Sequence, residues 1–279
     1  MTFKTILVQC DASDAATSRM VSACDVARRS GAHLVGLHVN VPFELPLGIS
    51  HTSFDMEKFC SECRAAVRAD AEKSAACFRQ AVANQGLSFE WREIEYRPDA
   101  VVAYARYADL IVVGRSDPDA PIAGIPADLA EAVALNSGRA VLVIPHRGSL
   151  AIPAKTVLLC WKDSREAARA AADALPFLQA AEQVIVLTIS ITPSLKDEES
   201  PAGIKAIAWL VRHGVKAIGH HQNGADGDAG AFILARAQDL GVDLIVMGAY
   251  GHSRLREVVL GGASRTVLAG MKVPVFMAH

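Results

Sequence analysis

The chain has 279 residues, 28 Lys and Arg against 30 Asp and Glu, and 51% hydrophobic residues. That is enough for one large domain or two smaller ones with their own cores, and too apolar for disorder. A net charge of −2 supplies no basic footprint for nucleic acid or an anionic membrane surface, and no apolar run approaches the roughly 18–20 residues that span a bilayer. With no apolar leader segment before Asp11, and with Cys10, Cys24, Cys60, Cys63, Cys77 and Cys160 too sparse for a disulfide framework, these features predict a soluble cytoplasmic protein with reduced thiols. Its partner is then a small molecule or a protein, not nucleic acid and not membrane.

In chain order, Thr5 to Gln9 is the first predicted strand. Ser13 is placed to cap a helix whose apolar positions Ala16, Met20, Val21, Cys24 and Ala27 share a face, and Gly31 to end it. Further strands are predicted at Leu34–Val39, Leu87–Ile94, Leu110–Val113 and Val141–Ile144, with helices near Asp55–Ala83, Asp99–Tyr107 and Ala127–Leu135 ahead of the last three. The second part of the chain places strands near Thr156–Cys160, Val184–Ser190, Val215–Gly219, Asp243–Met247 and Pro274–Met277. Pro274 has no N–H for a ladder, which puts that last strand at a sheet edge.

The two parts are copies of one unit. Lys4-Thr5-Ile6-Leu7-Val8 returns as Lys155-Thr156-Val157-Leu158-Leu159, and Ser13 as Ser164, at an offset of 151. Asp109-Leu110-Ile111-Val112-Val113-Gly114 returns as Asp243-Leu244-Ile245-Val246-Met247-Gly248 at an offset of 134, so the second copy is 17 residues shorter, within Val41 to Asp70 of the first. Each copy alternates strand and helix, the pattern of a five-stranded, doubly wound parallel sheet. The reading is a first unit at 1–146, a short linker at 147–154 and a second unit at 155–279. The fifth strands, Val141–Ile144 and Val275–Met277, are edges that would pair to make an intrachain pseudo-dimer.

Ligands of such sheets bind beyond the carboxyl ends of the strands, where the strand order reverses. After the fourth strand of the second unit come Gly248, Gly251, nine residues, then Gly261-Gly262-Ala263-Ser264. Glycines let backbone N–H groups approach an anion, and the positive end of the following helix points the same way, which makes a phosphate cradle. His252, Arg254 and Arg256 lie within that loop, where they could meet phosphate oxygens or solvent.

With the repeat, the ILVQCDAS, DLIVVG and DLIVMG segments and the Gly248-x2-Gly251-x9-Gly261 spacing together, the chain resembles the universal stress protein family in its tandem form. The resemblance covers both halves. It implies two Rossmann-like units and an adenine nucleotide such as ATP in the second, with magnesium as its companion ion. The implied site is Gly248, Gly251, His252, Gly261, Gly262 and Ser264. Two residues depart from the pattern: Gly262 stands where the motif has Ser or Thr, and Lys162 where an acid follows the first strand. As an ammonium, Lys162 can only donate, so it would pair with a phosphate, occupy the space of a ribose or extend into solvent. The first unit keeps Asp11 but has Asp117 and Asp128 in its loop, and no nucleotide is expected there. Its charges are 14 Lys and Arg against 18 Asp and Glu over residues 1–146, compared with 14 against 12 over residues 147–279.

Cys60 and Cys63 share a helix face, so a metal or redox site competes there with packing against the sheet. His220 and His221 are adjacent beyond a strand end and read as a solvated loop. No nucleophile elbow, dinucleotide fingerprint or Walker lysine occurs. The readings left are a stress-response protein that binds an adenine nucleotide for signalling or protection, with at most weak ATP hydrolysis; a protein-interaction scaffold, with homodimerisation an option; and an enzyme for a small ligand in the longer first half.

Overall fold

Short runs of Val, Ile and Leu become strands buried on both faces, as helix-covered parallel sheets require. The computed structural model describes residues 3–40, 56–95, 97, 99–115, 129–146, 150, 152–190, 201–223, 228–249 and 262–279. The first half runs β1 (Thr5–Cys10), α1 (Asp14–Ser30), β2 (His33–Asn40), α2 (Met56–Val82), β3 (Phe89–Glu95), α3 (Ala100–Ala105), β4 (Leu110–Gly114), α4 (Leu129–Asn136) and β5 (Ala140–Ile144). The second runs β6 (Thr156–Cys160), α5 (Arg165–Asp173), α6 (Leu175–Ala180), β7 (Gln183–Ser190), α7 (Pro201–Arg212), β8 (Ala217–Asn223), α8 (Ala229–Asp239), β9 (Leu244–Gly248), α9 (Ala263–Gly270) and β10 (Val275–Ala278).

All ten strands form one sheet in the order β3-β2-β1-β4-β5-β10-β9-β6-β7-β8. Every neighbouring pair is parallel except β5 and β10, whose antiparallel register sets Val275 against Val143 and Met277 against Val141. The two expected edges thus pair with one another: β10 ends its own half of the sheet and lies in the middle of the whole. Pro274 precedes β10, and its carbonyl accepts from the Ile245 N–H, so its missing N–H removes no bond inside the strand.

One core layer joins β1 residues Ile6, Val8 and Cys10 to α1, α2, α5, α6 and α7, and the opposite layer joins Leu7 to α3, α4, α8 and α9. Ser13 caps α1 by accepting from the Ala16 N–H at 3.2 Å, and Gly31 ends it with φ of 60°, as the sequence suggests. Ala16, Met20, Cys24 and Ala27 are buried, but Val21 is 48% exposed. Its place on the inner face is taken by Ala23, which lies three and seven residues from Met20 and Ala16. The two DLIV motifs also have a structural account. The Asp109 carboxylate accepts from the N–H groups of Lys4 and Thr5 at 2.7 and 3.0 Å, and Asp243 accepts from Lys155 and Thr156 at 2.8 and 2.9 Å. Each acid thus fastens its fourth strand to the start of its first.

The third strand of the second half begins two residues later than Val215 and continues to Asn223, because β8 pairs with β7 through Leu187 to His220 and Thr188 to His221. Across the halves, Phe177 of α6 meets Phe3 at 5.9 Å and Phe276 of β10 at 5.7 Å, so one aromatic cluster spans the join. Residues 151–279 produced alone would present β10 without its partner. They should sediment as a homodimer that pairs the two β10 edges, and a stable monomer would contradict this account.

Candidate functional site

The ends of β6 and β9 lie side by side, since Cys160 is opposite Met247 in the register. Beyond β6, the Trp161 N–H donates to the Leu187 carbonyl at 2.8 Å, Lys162 is exposed, and the Ser164 N–H donates to the Lys162 carbonyl at 2.7 Å. Ser164 then caps α5 through its hydroxyl, which accepts from the Ala167 N–H at 3.3 Å. Beyond β9, the Ala249 N–H donates to the Ala278 carbonyl and the Ala249 carbonyl meets His279 Nδ1, both at 2.8 Å.

Gly248 holds the first turn of α5 against this corner. A Cβ there would stand 2.7 Å from the Ala167 nitrogen, so only glycine allows the helix start to close on β9. Glu166, 5% exposed in that turn, keeps a carboxylate beside it. Burial alone would raise its pKa, but hydrogen bonds from Arg165, its own N–H and Ser164 outweigh burial and lower it to about 2. That negative charge offsets the positive end of α5. The first turn of α9 has no acid of its own, although Asp228, the N-cap of α8, accepts there from the Thr266 hydroxyl. The N-cap of α9 is Gly262, which supplies no side-chain bond, and the first N–H groups of a helix have no partner within the helix. Ser264 is buried one residue into α9. Of the residues marked by the motif, Gly248, Gly262, Ser264 and Lys162 are thus placed, while Gly251, His252, Arg254, Arg256 and Gly261 lie outside the described residues.

The first half builds the same corner differently, through a residue that motif reading passes over. Arg19 of α1 is 2% exposed, donates from Nε to the Gln9 carbonyl at 2.7 Å and forms an ion pair with the buried Asp11. The Asp11 carboxylate also accepts from Gln9 Nε2 at 3.1 Å, from the Ser13 N–H at 2.8 Å and from the Ser13 hydroxyl. Gln9 in turn accepts from the Gly114 N–H at 3.2 Å, and a Cβ on Gly114 would fall on the Arg19 guanidinium. Arg19 therefore fills the space over the end of β4. Next to it, Arg115 pairs at 3.1 Å with Glu131, in the first turn of α4. At the offset of 151, Asp11 and Arg19 correspond to Lys162 and the fully buried Ala170, so both partners of the ion pair change together. The signal in the sequence is a lone arginine on the apolar face of α1, three residues from Ala16.

Other candidates resolve as follows. Burial pushes the Cys10 and Cys160 thiols up to about 12, which removes both as nucleophiles at neutral pH. His220 and His221 sit in β8 and not in a solvated loop. His221 Nδ1 is 2.8 Å from the Thr188 hydroxyl, and the His220 pKa is lowered by burial and then by Arg236 and His221. Cys60 and Cys63 are half-exposed and line a cleft, which corrects the expectation that they pack onto the sheet. Among the described residues no three His, Cys, Asp or Glu side chains gather to hold a metal, and no helix is long and apolar enough to cross a membrane. Asp117 and Asp128 are outside the described residues.

The universal stress protein family model matches residues 2–145 and again 153–279, and the chain belongs to that family as a tandem member. A universal stress protein of Synechocystis is 41% identical over 49 residues, a match spanning 18% of this chain and 17% of that protein. A universal stress protein structure from Archaeoglobus fulgidus superposes with a TM-score of 0.72 at 17% identity, covering 98% of this chain and 95% of its own. A protein described as a universal stress protein from Pseudomonas aeruginosa gives 0.58 at 17% identity, covering 99% and 93%. These structures share the fold.

The Asp11–Arg19 pair has a signed pH dependence. Burial by itself would raise the Asp11 pKa, but the Arg19 guanidinium and the Ser13 hydrogen bonds outweigh it and hold the carboxyl below its ordinary value. A lowered folded pKa contributes stability above the unfolded value of about 4, and that stability is lost as pH falls through the folded value. Arg19→Met should cost about 3–5 kcal/mol in urea unfolding at neutral pH, because it strands a buried charge. The loss should shrink as the solution is acidified; a loss independent of pH would contradict the assignment.

Proposed function

We propose that the chain binds one adenine nucleotide, ATP or a close relative, in the crevice of its second half, and that occupancy is a signal or a protective state and not a step in catalysis. The observation that carries this reading is the asymmetry of the two crevices. In the first, Arg19 occupies the space above Gly114 and Glu131 sits in the first turn of α4; in the second, Ala170 replaces the arginine and α9 begins at Gly262 without an acid in its first turn. A phosphate placed at Gly262 would find backbone donors and the positive end of α9. Gly248, Gly251, His252, Gly261, Gly262, Ser264 and Lys162 form the proposed binding set, with magnesium beside the phosphates neutralising their charge. Against catalysis stand the Cys160 thiol, held protonated by burial, and the Ser164 hydroxyl, engaged in capping α5.

A scaffold role has one observation in its favour. Ile204 and Val211, seven residues apart on α7, are 50% and 56% exposed on one face. Calorimetric titration with ATP and magnesium separates the two. The nucleotide reading predicts one site per chain and at least about tenfold weaker binding in Gly262→Val, since a side chain would stand between backbone and phosphate. Gly262 has φ of −58°, which valine adopts, so folding should be unaffected. Two sites per chain, or none, would contradict the proposal.

A further inference from the structure

The chain from β2 to β3 has 48 residues where that from β7 to β8 has 26, and α2 alone takes 27 of them; α2 and α7 both end a short turn before the strand that follows, so the surplus lies toward the start of α2. The far end of α2 is fixed: Phe78 is fully buried, a Cβ on Gly36 would come within 2.8 Å of its ring, and Phe89 and Trp91 flank it at 5.9 and 5.5 Å. The surplus turns overhang the ends of β2 and β3 and roof a cleft of about 630 Å³, within the size range of small-molecule sites.

The two walls of the cleft differ in chemistry. The sheet wall offers acceptors. Asn40 and Glu95 are register partners, and Glu93 lies two residues earlier on the same face, its carboxylate held by Trp91 Nε1 at 2.8 Å. Asn40 Oδ1 is buried and has no hydrogen-bond partner among the described residues, so the cleft contains an acceptor awaiting a donor. The helix wall is apolar and soft, with Cys60, Cys63, Val67 and Ala71 facing the acceptors. On that wall Arg68 is engaged with Glu72 at 3.2 Å, whereas Arg64 holds no carboxylate among the described residues.

We propose that this cleft binds a small zwitterion with an apolar body, of the chemical class of a free α-amino acid. The ammonium donates to Asn40 Oδ1 and to the Glu93 and Glu95 carboxylates, the carboxylate pairs with Arg64, and the apolar side chain lies against Cys60, Cys63, Val67 and Ala71. A polyanion such as a nucleotide would be repelled by Glu93 and Glu95, and a simple amine would leave Arg64 unanswered. The site is separate from the nucleotide crevice and does not depend on it. The second half lacks the chain to build it, because 26 residues join β7 to β8 where 48 join β2 to β3, fewer than the 27 of α2 alone.

Titration of the full chain with leucine and phenylalanine, followed calorimetrically and by the Asn40 side-chain amide signal in NMR, tests the assignment. Saturable binding of at least one below about 10 mM is expected. Glu95→Gln and Arg64→Gln, both at exposed positions, should each weaken it about tenfold with unchanged melting temperature. Isoamylamine, which lacks the carboxylate, should bind more weakly than leucine and be indifferent to Arg64→Gln. The proposal is overturned if neither amino acid binds, if the amine binds as tightly as leucine, or if the two variants leave affinity unchanged.

Discussion

The antiparallel pairing of β5 with β10 is the contact on which the rest of the architecture depends. Each half has five parallel strands, and each would leave its last strand with unpaired N–H and C=O groups. Pairing those edges satisfies both and makes a ten-stranded sheet that, among the described residues, ends at β3 and β8. It also brings Phe3, Phe177 and Phe276 into one cluster, so the join is apolar as well as hydrogen-bonded. Duplication in one chain supplies at once the partner that a single unit would have to find by association.

Permanent joining leaves the halves free to differ. Two crevices at corresponding strand ends start from the same backbone, and a few side chains send them different ways. In the first, a guanidinium and a carboxylate satisfy one another where a ligand would otherwise meet the protein; in the second, the pair is replaced by Lys162 and Ala170. Breaking only one member of a buried pair is strongly destabilising, which gives a physical reason for the two positions to change together. The first half also has the longer α2, and with it a cleft that the second half lacks the chain to form.

Most of the fold could be read from the sequence because its determinants are local or repeated. Runs such as Thr-Ile-Leu-Val and Asp-Leu-Ile-Val-Val fix the strands, Ser13 and Gly31 bound α1, and the offset of 151 exposes the duplication. What escaped was set by contacts between distant segments. The start of β8 follows from its register with β7 and not from its own composition. Val21 and Ala23 exchange inner and outer positions because packing between helix and sheet, and not hydrophobicity alone, selects the face. The candidate site was legible as a pattern of glycines. Arg19 was not, since a single charged residue on an apolar helix face acquires meaning only when Asp11, Gln9 and Gly114 are seen around it.

The central claim is that one crevice is closed by its own side chains and the other is open to a nucleotide. Hydrogen–deuterium exchange of the full chain with and without ATP and magnesium tests it most directly. Added protection should appear at Trp161 to Ser164, at Gly248 and Ala249 and at the start of α9, with none at Asp11 to Ser13 or Gly114. Protection at the Asp11 and Gly114 segments, or equal protection in both halves, would contradict it.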